Sequence, residues 1–313
     1  MNRRSAIQTL MGCGAGSLLR RPARGCDDDD FVIRSEARLV VLEVSVKNRG
    51  GGFASGLTKD NFRVFENGRH QDITVFDHND APVNIGILVD ESRSMSPKRV
   101  SVLTAALTFI GESNPDDEMF VFNFNDDVQP GLTPPLLFSD DHVELRTALF
   151  RGVSQGKTAL YDAVWDGLTQ LELGKREKKT LVLISDGGDN ASHHTRRQTI
   201  DRIQRSVATI YTIGIFDQDD SDRDPGILRQ IARISGGEAY FPASINEMVP
   251  VCKRIAHDIR NCYTIGYHPA AHPVAGKNVR DVRSIRVDAS SPNHAGLTTR
   301  ARTSYRYDPE PGN

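Results

Sequence analysis

Asp90, Ser92 and Ser94 fall on alternate residues immediately after the apolar run Val83-Asn84-Ile85-Gly86-Ile87-Leu88-Val89. That spacing sets one carboxylate and two hydroxyls just past the end of a buried strand. Further along stand Thr158, in Gly156-Lys157-Thr158-Ala159-Leu160, and Asp186, which follows Leu181-Val182-Leu183-Ile184-Ser185. All five side chains end in hard oxygen, with no histidine or cysteine nearby in sequence. Such a donor set suits a hard divalent cation such as Mg²⁺. Each residue alone also has an ordinary structural role open to it: Ser92 and Ser94 as loop residues, Thr158 as a helix cap, Asp186-Gly187 as a turn. Their shared placement, at strand ends and a helix start, is what argues for one site.

Positioning these side chains requires a particular kind of fold. From Pro82 onward apolar strands alternate with helical segments, the signature of a parallel sheet with helical crossovers. Strands are predicted at 83–89, 119–124, 180–185, 209–215 and 239–241. Helices are predicted from Ser96-Pro97 to about Ile110, then at 140–150, 159–173, 196–206, 225–234 and 245–260. The predicted class is α/β, a doubly wound and mostly parallel sheet. Ligands bind such sheets beyond the carboxyl ends of the strands, where strand order reverses.

On either side of that region the period drops to two. Residues 31–80 read as an N-terminal β segment, with a strand over Leu39 to Val46. Within it Phe62 to Glu66 is expected to pair with Ile73 to Phe76 around the turn Asn67-Gly68. Residues 262–308 hold strands at 263–267, 282–287 and 298–307. The two β segments are expected to pack together as a small antiparallel module beside an α/β domain at 81–261. Residues 1–30 read as an export signal and linker.

Asp-x-Ser-x-Ser after a first strand (Asp90, Ser92, Ser94), a distant Thr158 and a later Ser185-Asp186-Gly187 resemble the metal-ion-dependent adhesion site, or MIDAS, of von Willebrand factor type A domains. The resemblance covers about residues 82–260. Gly56-Leu57-Thr58-Lys59-Asp60-Asn61-Phe62, Phe65-Glu66-Asn67-Gly68 and Tyr263-Thr264-Ile265-Gly266-Tyr267 extend it. With these flanks the chain resembles the bacterial von Willebrand type A-related secreted proteins common in acidobacteria. The resemblance implies a Rossmann-like domain in which Asp90, Ser92 and Ser94 bind Mg²⁺ (or Mn²⁺ or Ca²⁺) through side-chain oxygen. Thr158 and Asp186 would bind directly or through water. The remaining position would go to water or to a carboxylate from a protein or extracellular-matrix-like partner. Holding one protein carboxylate behind water leaves the cation acidic enough to accept that outside ligand. Arg93 either adds attraction for an acidic ligand or is a solvated loop residue, and Asp189 either supports the site or makes a turn.

Composition narrows the alternatives. Thirty-nine basic and 41 acidic residues give a net charge of −2, with no basic footprint for nucleic acid and no polybasic membrane patch. Asn2-Arg3-Arg4-Ser5-Ala6-Ile7, followed by a Gly-rich stretch to Leu19, resembles a twin-arginine export signal and is too short and interrupted for a transmembrane span. A lipoprotein acylation box at Leu10-Met11-Gly12-Cys13 and a disordered basic tail are the competing readings of the same residues. The expected location is periplasmic or extracellular. Cys252 and Cys262 lie up to ~15 Å apart if the chain between them is helical, too far for a bridge that needs Cα atoms within about 7 Å. They are expected to be two small buried side chains.

Several motifs fail on inspection. Gly152-x-x-x-Gly156-Lys157-Thr158 mimics a phosphate-binding loop, but its glycine spacing is one short and no strand precedes it. The acidic stretch from Asp217 to Asp224 lacks the central glycine and terminal glutamate of a calcium loop. His193-His194 has no metal-binding partner at helical spacing and is expected to be exposed. No serine sits in a nucleophile elbow and no Glu-paired histidine motif occurs, so catalysis is not expected. The leading expectation is an exported metal-dependent protein-binding or adhesion module. A metal-assisted hydrolase and a structural protein with a vestigial site are the alternatives.

Overall fold

Residues 39–216, 223–269, 281–294 and 296–307 are described in the computed structural model. The leader, Cys13, Cys26 and most of the acidic stretch at 217–224 lie outside those residues. Strands β1 (Val40–Lys47), β2 (Phe62–Glu66), β3 (Arg69–Gln71) and β4 (Ile73–Asp77) come first. Then β5 (Val83–Asp90), β6 (Glu118–Phe124), β7 (Val128–Pro130), β8 (Lys178–Ser185), β9 (Thr209–Gly214) and β10 (Ala239–Tyr240) build a central sheet. Helices α1 (Arg99–Glu112), α2 (His142–Phe150), α3 (Leu160–Glu172), α4 (Arg196–Arg205), α5 (Pro225–Ser235) and α6 (Met248–Arg260) alternate with those strands. Finally come β11 (Tyr263–Tyr267), β12 (Asp281–Ala289), β13 (Thr298–Arg300) and β14 (Ser304–Tyr307). Among the described residues no helix is long and apolar enough to cross a membrane.

The central sheet runs β10-β9-β8-β5-β6-β7, parallel throughout except for the short edge strand β7. All eight residues of β5 are buried, because it is paired on both sides and covered on both faces, as a continuous apolar run requires. Helix α3 shows how a crossover is specified. Leu160, Ala163, Val164, Gly167, Leu168 and Leu171 are its buried residues, a stripe at helical spacing that packs on β5 and β8. From β5 the chain steps to β6 on one side, then returns to β8 on the other. Strand order therefore reverses between β5 and β8, and their carboxyl ends flank the crevice where doubly wound sheets bind ligands.

Strands from the two ends of the chain interleave in the antiparallel module. One sheet runs β13-β1-β11-β4 and the other β14-β12-β2-β3. They share an apolar cluster that includes Leu42, Val44, Phe62, Val64, Ile265 and Val287. At its centre the Glu66 carboxylate accepts hydrogen bonds from Arg283 Nη1 (2.8 Å) and from the hydroxyls of Tyr267 (2.8 Å) and Tyr305 (2.7 Å). One buried anion thus ties together β2, β11, β12 and β14.

Three expectations need correction. Phe62–Glu66 does not pair with Ile73–Asp77. The two-residue turn, with Asn67 and Gly68 both at positive φ, sets Glu66 opposite Arg69, so the hairpin partner is β3 and β4 pairs with β11 in the other sheet. Residues 298–307 are not one strand. Arg302 turns inward between β13 and β14, donating to the carbonyls of Ile203 and Ser206 at the end of α4, and the chain changes sheet there. The helix expected at Ser96-Pro97 begins as a 3-10 segment, Arg93–Lys98, and α1 proper starts at Arg99. Cys252 and Cys262 are free and buried, and burial pushes both thiols up to about 12, so neither is reactive.

Candidate metal centre

Asp90 is the last residue of β5, with 2% of its surface exposed. Its Oδ1 accepts the Ser92 N–H at 2.8 Å, and its Oδ2 accepts the Ser185 hydroxyl at 2.6 Å. Burial first, and the charge of Asp186 second, raise its carboxyl to about 7. Ser92 precedes the 3-10 segment and Ser94 lies in its first turn. Their hydroxyls are hydrogen-bonded at 3.1 Å, and Ser94 Oγ donates to Asp186 Oδ2 at 2.5 Å. Asp186 follows β8 directly, is 2% exposed, and accepts the Gly188 N–H on Oδ1 at 3.0 Å. Four of the five residues therefore meet at the reversal between β5 and β8.

Thr158 reaches the same place by a different route. Its loop is held against theirs by backbone bonds on both sides. The Thr158 N–H donates to Asn190 Oδ1 at 2.9 Å, and its carbonyl accepts the N–H groups of Asn190 and Ala191. Those bonds fix it to the turn after Asp186. On the other side the Gln155 N–H donates to the Glu91 carbonyl and the Arg93 N–H to the Gly156 carbonyl, fixing the loop to the turn after Asp90. Arg93 itself is exposed.

Several supporting residues were not legible as such. Glu91 is 1% exposed and accepts Arg99 Nε at 2.9 Å and the Ser154 hydroxyl. Arg99 Nη2 in turn donates to the Gly152 carbonyl at 2.6 Å. A side chain at Gly152 would begin 2.2 Å from the Glu91 carboxylate, so any larger residue there would displace Glu91 from Arg99. The available signal was an acid next to Asp90 with an arginine eight residues on, in the first turn of the following helix. Asp189 is a support: with the Ser192 hydroxyl it accepts the Tyr161 N–H at the start of α3. Gly187 has φ +85°, and a Cβ there would lie 2.4 Å from the Asp224 carbonyl, which only glycine accommodates cheaply.

The two histidines are dealt with differently. His193 is exposed, whereas His194 is only partly so, its ring stacked on Trp165 at 4.1 Å. Nδ1 of each meets the Asp162 carboxylate, at 3.1 and 2.6 Å. Burial alone would raise Asp162; the backbone and ring hydrogen bonds from His193 and His194 outweigh it and leave the carboxyl lowered. Among the described residues no cluster of three His, Cys, Asp or Glu side chains is placed to hold a metal. The candidate centre instead offers two carboxylates and three hydroxyls. All are hard oxygen donors, which fits Mg²⁺, Mn²⁺ or Ca²⁺ better than a metal seeking nitrogen or sulfur. The mutual repulsion of Asp90 and Asp186 is the electrostatic deficit that a dication would offset.

Comparisons with known proteins agree with this architecture. Residues 84–250, more than half of the 313-residue chain, match the family model for the von Willebrand factor type A domain. The chain is similar to a von Willebrand factor type A structure from Catenulispora acidiphila, with 12% identity, 87% of this chain and 74% of that chain covered, and a TM-score of 0.51. It is also similar to proximal thread matrix protein 1 from the mussel byssus, whose MIDAS motif is occupied by zinc in that structure. There the identity is 15%, the coverage 63% of this chain and 50% of that one, and the TM-score 0.46. At 12% identity the likeness to the Catenulispora acidiphila structure concerns the fold alone. A search of the curated proteins gives no match. The chain belongs to the von Willebrand factor type A domain family.

Proposed function

We propose that the chain is an exported, metal-dependent protein-binding module. Asp90, Ser92, Ser94, Thr158 and Asp186 hold a divalent cation, Mg²⁺ or else Mn²⁺ or Ca²⁺, and a carboxylate of a protein or matrix-like partner completes its shell. The family often mediates metal-dependent protein binding, and the meeting of Asp90, Ser92, Ser94 and Asp186 at one rim supports reading that role onto these residues. The observation that carries the reading is the Ser94–Asp186 contact at the reversal of strand order, with the buried Asp90 carboxylate alongside. When bound, the cation supplies a Lewis-acidic position for an anionic group.

Each residue has a defined task in this scheme. Asp90 is the anchoring charge, oriented by Ser185 and the Ser92 amide. Ser92 and Ser94 offer neutral oxygen, which keeps the site's negative charge low enough to admit a third carboxylate. Asp186 is tethered by Gly188 and Ser94, and Thr158 is presented by Asn190. The role is binding rather than catalysis. Export rests on the arginine pair and Gly-rich stretch of residues 2–19; fusing residues 1–35 to a reporter that works only after export tests it. Capture of a partner from an extract, with and without EDTA, tests the binding role. Retention that is lost in chelator is expected, and retention indifferent to chelator contradicts it.

A further inference from the structure

We propose that the arginine-lined cleft between α5, the free edge of β10 and the strands β12 and β13 is a second, metal-independent site that takes an extended acidic segment of a protein partner. The cleft encloses about 600 Å³, a size typical of ligand sites. Arg229, Arg233, Arg286, Arg300 and Arg302 line it, against the carboxylates of Glu238 and Asp288. Three of these arginines are already engaged. Arg300 donates to Asp258 and to the Gly236 carbonyl, Arg302 to the carbonyls of Ile203 and Ser206, and Arg286 pairs with Asp288.

Arg229 and Arg233 differ from them. They are exposed, one turn apart on α5, and neither has a carboxylate partner among the described residues. The Arg229 guanidinium lies 4.4 Å over the Phe241 ring. Stacking of that kind leaves the in-plane N–H donors free for an anion. Like charges four apart on a helix repel each other, so an anion in the cleft would relieve a cost the folded chain already carries.

The second observation is the sheet edge. β10 pairs with β9 on one side, and no strand pairs with its other side among the described residues. Gly237, Glu238, Ala239 and Phe241, in and beside β10, line the cleft. An open edge offers unpaired N–H and C=O groups to an added strand. In such a strand the side chains alternate, so acidic residues on one face can meet Arg229 and Arg233 of α5. β10 is only two residues long, so charge must supply most of the affinity and the ladder the orientation.

Fluorescence anisotropy with a labelled peptide alternating glutamate and valine tests the site on the full chain. The assay runs in EDTA, so its outcome does not depend on the metal centre. Binding is expected to the glutamate peptide and not to its lysine counterpart. It should fall at least about tenfold in Arg229→Glu/Arg233→Glu, whose exposed positions spare the fold, as circular dichroism would verify. Methylating alternate peptide amides, which preserves charge and removes ladder donors, should weaken binding further. Equal binding by the charge-reversed protein, or none by folded wild type, overturns the site. Equal binding of the methylated peptide overturns strand-like occupancy.

Discussion

The Ser94 hydroxyl donates to the Asp186 carboxylate at 2.5 Å, closing a gap of 92 residues in sequence. This contact joins the turn after β5 to the turn after β8, the two strand ends that flank the reversal of the sheet. A serine hydroxyl can donate its proton to a carboxylate while its lone pairs face elsewhere. The contact therefore holds the two oxygens side by side without using up Ser94 as a donor of electron pairs.

Ser185 should matter for metal affinity although it is outside the five-residue set. Its hydroxyl orients Asp90 Oδ2 at 2.6 Å, and groups that orient a metal ligand typically contribute about 10–100-fold in affinity. Ser185→Ala is expected to weaken Mg²⁺ binding by that order in calorimetric titration. Unchanged affinity would show that Asp90 needs no such support.

The metal-free protein should lose stability as pH rises. Asp90 is raised from 3.8 to about 7, by burial first and by Asp186 second. A carboxyl raised in the folded state stabilises the fold while protonated, fully below its unfolded value, and that contribution is lost as pH climbs through the folded value. Melting in chelator should thus be lower at about pH 8 than at about pH 5 on account of this group. Asp90→Asn, which stays neutral, should flatten the difference, and Mg²⁺ should restore the wild type chiefly at the higher pH. An equal slope in Asp90→Asn would contradict this.

Glu91→Ala should destabilise the chain more than its position in a surface turn suggests. It removes the acceptor of Arg99 Nε and of the Ser154 hydroxyl and leaves the partly exposed guanidinium with carbonyl partners alone, a loss of about 1–3 kcal/mol. Denaturant unfolding measures it, and a change under about 1 kcal/mol would place the support elsewhere.

The antiparallel module offers a parallel test. Tyr305→Phe removes one hydrogen bond to Glu66 and should cost about 1 kcal/mol, whereas Glu66→Ala strands Arg283 and should cost about 3–5 kcal/mol. Similar small losses in both would mean the buried carboxylate is not the module's anchor.

The class of fold was readable because periodicity switches cleanly, from two to an alternation of apolar strands with helices and back again. The ends of β5 and β8 carried Asp90 and Asp186 in plain view, since a run such as Val83 to Val89 admits few other structures. What escaped was decided by tertiary pairing. Asn67-Gly68 announces a hairpin but not that its second strand stops at Gln71 and that the chain then crosses to another sheet. Arg302 reads as one more polar residue in an alternating run, and only the carbonyls at the end of α4 make it a break. Glu91 looks like a loop acid until Gly152 and Arg99 are seen to enclose it. Thr158 was named from its hydroxyl at a helix start, but its link to the centre runs through Asn190, which has no signature of its own.

Calorimetric titration of Mg²⁺ into chelator-stripped wild type and into Asp90→Ala tests the central claim most directly. Saturable binding by the wild type that disappears in a folded Asp90→Ala is the predicted result. Equal binding by both proteins would contradict the assignment of Asp90, Ser92, Ser94, Thr158 and Asp186 as one metal centre.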